Sequence, residues 1–169
     1  MNTDSQTDTP EKEHRHPTTR DELYSAAVDL VTRARREILI CCPMLDPALY
    51  NRVALTEALG HFIARRASNR VRVVVEDTEH MLLADVRLVE LTRRFSDMIQ
   101  IHRLGELHRG LAEMFLVADG EHCLHQHDVV SLDATLDFRT PQLAIPLAHR
   151  FEAIWAASEP APGLHTFRL

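Results

Sequence analysis

The stretch His122-Cys-Leu-His125-Gln-His127-Asp128 is the most suggestive cluster of reactive side chains in the sequence. If it is a strand, its period of two places Cys123, His125 and His127 on one face. Those three would make a soft ligand set suited to zinc. A site on one strand needs a further ligand from elsewhere, and no CxxC or HExxH pattern supplies one. A half-exposed strand with a polar side is the plainer reading. Three carboxylates form the next group. Asp46 follows one apolar run, and Glu76 and Asp77 end another. Sites in α/β sheets gather beyond the carboxyl ends of strands, and paired carboxylates there would suit Mg²⁺ or a basic partner. Asp46 before Pro47 and Asp77 before Thr78 also read as ordinary turn and helix caps, which is preferred. Cys41-Cys42 closes an apolar run. A reactive thiol needs exposure and a lowered pKa, so these read as two small core residues.

Composition narrows the chemistry. The chain has 169 residues, 45% hydrophobic and 26% charged, with a formal net charge of −6. That is the profile of one ordinary globular domain, and the acidic balance argues against a general nucleic-acid binder. Of 19 basic residues only Lys12 is a lysine, so Schiff-base and P-loop chemistry have no lysine in the folded region. Three cysteines make no disulfide framework and suit the cytoplasm. No apolar run is long enough to cross a membrane, and the polar first 20 residues offer no apolar core for a signal peptide. No Gly-rich phosphate loop, GxSxG elbow or dinucleotide fingerprint is present. Arginines 33, 35, 36, 65, 66, 93 and 94 fall near expected helix ends, where they complement the dipole.

The elements that must position these residues follow from periodicity. Residues 1–17 lack apolar pattern and read as a disordered tail, leaving residues 18–169 as the domain. Thr19 and Glu22 make a capping box, and Leu23, Ala26, Ala27, Leu30, Val31 and Ala34 mark one buried helical face. Glu37–Cys42 and Val71–Glu76 read as strands buried on both sides. Helices are expected over about 53–68 and 83–95. Further strands are expected at Met98–Arg103, Glu113–Ala118 and Glu121–His127, the last two joined by a two-residue Asp119-Gly120 turn. A polar stretch precedes a helix from Pro141 to about Ser158, with Thr140 as its cap and Pro146 as a candidate kink. The order α-β-α-β-α-β-β-β-α implies parallel units followed by an antiparallel hairpin.

At Ala112-Glu-Met114-Phe-Leu-Val-Ala-Asp119-Gly120 the sequence resembles the phospholipase D-like superfamily. That family carries His-x-Lys-x4-Asp on the corresponding strand, where histidine attacks phosphorus and lysine binds the phosphate. Aligned on Asp119, Ala112 stands at the histidine position and Met114 at the lysine position. His108 lies eleven positions before Asp119, so it does not fill the slot. Ala34-Arg-Arg-Glu-Ile-Leu-Ile and the closing Phe151-x3-Trp155 helix also resemble bacterial members. The sequence also resembles a degenerate proteobacterial domain of unknown function, which in some relatives is fused to an acetyltransferase.

The resemblance implies an α/β fold: a phospholipase D-like half-domain, a mixed sheet with flanking helices. Alanine is no nucleophile and methionine brings no charge to a phosphoryl oxygen. The expectation is therefore a catalytically inactive domain without a cofactor, acting as a binding or regulatory module. The alternatives are an enzyme with a remodelled, metal-assisted site at His125 and His127, or a nucleic-acid binder. The family's paired half-sites imply a homodimer meeting near Met114. A protein partner or a small anionic ligand fits the module reading, with no membrane and no general nucleic-acid role.

Overall fold

The computed structural model describes residues 11–83 and 87–164. Residues 1–10 of the expected tail, 84–86 of the expected third helix and 165–169 lie outside them. Among the described residues, eight strands form one mixed sheet: β1 (Glu13–Arg15), β2 (Glu37–Cys42), β3 (Arg70–Val75), β4 (Ile99–Arg103), β5 (Met114–Ala118), β6 (His122–Gln126), β7 (Ala134–Phe138) and β8 (Glu159–Pro160). Their order across the sheet is β1-β7-β6-β5-β2-β3-β4-β8. β2, β3 and β4 run parallel, and the other pairings are antiparallel. Helices α1 (Arg20–Arg33), α2 (Pro47–Tyr50), α3 (Val53–Arg65), α4 (Thr78–Leu83), α5 (Arg87–Arg94) and α6 (Pro141–Ala156) flank it.

Alternation along the strands divides the core in two. Ile38, Ile40, Cys42, Val73, Met114 and Leu116 pack with Leu30, Leu59 and Phe62 of α1 and α3. Leu39, Cys41, Val74, Phe115, Val117 and Cys123 face the other way, onto Ala144, Phe151 and Ile154 of α6. Covering both faces explains why β2 and β3 read as continuous apolar runs rather than alternating ones. The α1 capping box forms as its sequence implies, with the Glu22 amide donating to the Thr19 hydroxyl and the Glu22 carboxylate returning to the Thr19 amide.

Three expectations are corrected. The tail reading of residues 1–17 fails at its end: Glu13–Arg15 pairs with β7, and Pro17 is buried. An edge strand needs no apolar alternation when side-chain bonds tie it down. Here His14 meets Asp137 at 2.6 Å, Arg15 binds Asp29 at 2.5 Å and Arg33 binds Glu13 at 2.9 Å. The stretch before α6, read as polar, contains β7. Within the helix expected over 83–95, the described residues Arg87–Arg94 are helical as α5, and α4, which starts earlier at Thr78, runs to Leu83. Finally, Thr140 makes no side-chain cap on α6; its hydroxyl donates to the Phe138 carbonyl instead. α6 continues through Pro146, although the ring removes one intrahelical donor.

Candidate functional site

Asp119 and Gly120 both have positive φ, 58° and 67°, and the Glu121 amide closes the turn on the Ala118 carbonyl at 3.0 Å. The signs are those of a type I′ turn. The loop is one residue longer than the sequence implies, because Ala118 faces His122 rather than Glu121. Asp119 does more than turn the chain. Its carboxylate accepts the backbone N–H groups of Arg35, Arg36 and Glu37 at 2.8, 2.8 and 3.0 Å. It thereby caps the passage from α1 into β2, more than 80 residues away in sequence. No sequence pattern announces these bonds.

At the opposite ends of these strands, Met114 lies against a cavity of about 190 Å³. It is walled by Leu23, Leu49 and Tyr50 on one side and by Gln126, Val129 and Leu132 on the other, with Arg20, Met44 and Asp46 also on the lining. Met114 sits opposite Gln126 in the ladder, and the Gln126 side-chain amide donates to the Ser131 carbonyl at 2.6 Å. Ala112 precedes β5, and its carbonyl accepts the Val129 amide at 2.8 Å. The Tyr50 hydroxyl is buried without a hydrogen bond of standard geometry. Burial drives both its phenol and the neighbouring Cys42 thiol well above their ordinary ranges, so both stay neutral. The lining can hold an apolar group, and it offers no activated nucleophile.

The histidine cluster is on the α6 face. His125 Nε2 lies 2.6 Å from a Glu113 oxygen, and Arg150 of α6 pairs with the other Glu113 oxygen. The His125 and His127 rings lie 3.9 Å apart. Burial, and then His127, depress the His125 imidazole to about 4. A neutral imidazole donating Nε2–H fits that value, because Arg150 already balances the Glu113 charge. Cys123 is buried, and burial pushes its thiol up to about 12. The sequence brings Cys123, His125 and His127 to one side of β6. Among the described residues, no group of three His, Cys, Asp or Glu side chains is arranged to hold a metal ion. Glu113, which engages His125 instead, and Arg150, which pairs with Glu113, were not legible from the sequence. His108 lies across a separate cavity of about 360 Å³ shared with Glu113 and Arg150.

The three carboxylates are not brought together as a metal set. Asp46 accepts the Ala48 amide at 2.9 Å and caps α2. Asp77 accepts the His80 amide at 2.9 Å. Glu76 receives the amides of Gly110 and Leu111 at 3.1 and 3.2 Å, tying down the loop before β5. Cys41 and Cys42 are both buried, and burial pushes the Cys41 thiol up to about 12.

Comparison with known proteins places this geometry. The family model described as Domain of unknown function (DUF7931) matches residues 19–167. The chain belongs to that family. Among curated proteins, none matches the DUF7931 chain. Solved structures share its fold. Nuc, a phospholipase D family member from Salmonella typhimurium, superposes with a TM-score of 0.61 at 10% identity over 89% of this chain and 98% of Nuc. TrmBL2, an archaeal chromatin protein with a novel mode of DNA binding, gives 0.63 at 11% identity over 92% of this chain and 56% of TrmBL2. Phosphatidylserine synthase from Haemophilus influenzae Rd KW20 gives 0.63 at 11% over 92% of this chain and 40% of the synthase. The DUF7931 chain thus spans about half or less of the last two. The likeness shows a phospholipase D-like fold. Among the described residues, no helix is long and apolar enough to cross a membrane.

Proposed function

We propose that this chain is a phospholipase D-like domain without phosphodiesterase activity, acting as a binding or regulatory module through the face around Met114. The observation that carries the reading is the environment of the motif strand. Met114 stands where the resemblance implies a phosphate-binding lysine, and it packs into an apolar-walled cavity beside a neutral phenol and thiol. Met114 is 4% exposed, so a charged side chain in its place would have to give up most of its hydration. Cleaving a phosphodiester needs a nucleophile, and Ala112 supplies none. A remodelled metal-assisted site at His125 draws no support from Glu113, whose two oxygens are already engaged by His125 and Arg150.

The occupant of this face in our reading is a second copy of the chain. Met44, Val129 and Leu132 are between 37% and 39% exposed around the cavity, and Val130 beside them is 91% exposed. Apolar side chains so placed are costly in water and suit an isologous two-fold contact. Two measurements test the proposal. A bis-aryl phosphodiester should not be turned over. Turnover abolished by Asp119→Asn and His108→Ala together would overturn the loss of activity. Light scattering across a concentration series should give a mass near twice 19.3 kDa, falling in Met114→Lys. A monomer mass at every concentration would overturn the dimer.

A further inference from the structure

A third cavity, about 590 Å³, lies at the end of the sheet remote from Met114 and gathers arginines from four segments. Arg33 closes α1, Arg35 and Arg36 lead into β2, Arg65 and Arg66 end α3, and Arg139 follows β7. Six arginines line it against two acidic residues, Asp119 and Glu121. The whole chain carries a net charge of −6, so this concentration of positive charge is a local construction and not a consequence of composition.

Two of the six have evident structural partners. Arg65 donates to the Ala34 carbonyl at 2.9 Å. Arg33 pairs with Glu13 and lies 3.8 Å from the centre of the Phe138 ring. Among the described residues, the side chains of Arg35, Arg36, Arg66 and Arg139 have no hydrogen bond or ion pair. Asp119, a carboxylate on the same lining, is committed to the backbone amides of Arg35, Arg36 and Glu37. Helix-dipole complementation accounts for arginines at the ends of α1 and α3. It does not account for Arg139, which is on no helix.

Arg139 provides an independent observation. Its φ is 54°, a left-handed conformation that is costly for a residue with a Cβ and free for glycine. The conformation is held by the Arg139 N–H, which donates to Nδ1 of buried His122 at 3.0 Å. A strained backbone maintained at a charged residue, where glycine would be cheaper, is the pattern of a functional position. The same bond fixes the His122 tautomer. Nδ1 is an acceptor, so the proton of the neutral ring sits on Nε2, a further donor on a residue of the lining.

We propose that this cavity binds a small ligand bearing several phosphate oxygens. Guanidinium forks match phosphate oxygens bidentately, and several unpartnered arginines converging on one concave volume match a multiply charged group. No Phe, Tyr or Trp lines the cavity, so there is no platform for stacked bases of single-stranded nucleic acid. The acidic balance of the remaining chain opposes a long polyanion tracking over the surface. The proposal does not rest on the loss of catalysis, because its arginines stand at the end of the sheet remote from positions 112 and 114.

The experiment is calorimetric titration of the full chain with sodium tripolyphosphate in 150 mM NaCl, with sodium sulfate at matched ionic strength as control. The expected result is saturable one-site binding with a rise in melting temperature, and much weaker binding of sulfate. Arg139→Gly keeps the positive φ and should fold at least as well as the parent. It should nevertheless weaken binding about tenfold, the usual scale for one charge-assisted bond. Arg35→Ala with Arg66→Ala should weaken it further, circular dichroism confirming the fold. Absence of saturable binding, equal binding of sulfate, or unchanged affinity in both variants would each overturn the proposal. So would a 20-base-pair duplex that binds more tightly than tripolyphosphate and loses affinity in the same variants, which would assign the surface to nucleic acid.

Discussion

Replacing Asp119 separates its two contributions, the turn it makes and the passage it caps. The carboxylate accepts three backbone N–H groups across the gap between the hairpin and the start of β2. The side chain is half-buried, so on removal water reaches part of the vacated amides. A net value of about 1 kcal/mol per bond is therefore appropriate, below the upper range for charged acceptors. The three bonds together contribute about 3 kcal/mol. A left-handed φ adds about 1 kcal/mol of strain for alanine and none for glycine. Asp119→Ala should accordingly lose about 4 kcal/mol, and Asp119→Gly about 3 kcal/mol. Asp119→Asn, which tolerates the left-handed region and keeps one acceptor oxygen, should lose about 1–2 kcal/mol. Urea denaturation followed by circular dichroism gives the differences, and at this chain length each kcal/mol moves the melting temperature by about 2–4 °C. If Asp119→Ala and Asp119→Gly both lay within about 0.5 kcal/mol of the parent, the capping argument would fail. If glycine were as costly as alanine, the strain assigned to the turn would be wrong.

Removing residues 1–17 should lower the melting temperature by about 5 °C or more, because it strips β1 from β7 and leaves buried Asp137 without His14; removal of residues 1–10, which spares β1, is the control, and equal melting temperatures would show that the edge strand contributes nothing. His125 stays neutral in the folded protein down to about pH 4, whereas the unfolded chain takes up the proton near pH 6.5. Its contribution to stability is therefore complete above pH 6.5 and is lost as pH falls from 6.5 to 4. His125→Gln should show a shallower loss over that window in pH-dependent denaturation, and an unchanged slope would refute the assignment. Arg150→Ala should raise the His125 pKa in an NMR titration, since it leaves Glu113 free to hold an imidazolium; a fall or no change would show that Arg150 does not balance that carboxylate.

Much of the architecture was legible because it is locally encoded. The two-sided burial of β2 and β3 appears as unbroken apolar runs. The start of α1 is a capping box, and the i, i+3, i+4 stripe names its buried face. The identities at positions 112 and 114 are likewise sequence facts, and they leave the motif strand without a nucleophile or a phosphate-binding charge. What tertiary structure decided was everything resting on pairing between distant segments. β1 carries little local signal, because this edge strand is held by side-chain bonds to residues far along the chain. The register of β5 and β6 turned on one extra residue, Glu121. With Ala118 opposite Glu121, His125 would share a face with Met114. With Ala118 opposite His122, a strand's period of two sends His125 to the α6 face, beside Glu113 and Arg150, and leaves Gln126 against Met114. The arginine cavity has the same origin. Each arginine reads as an ordinary helix-end or loop charge, and only the folded sheet brings four chain segments to one end.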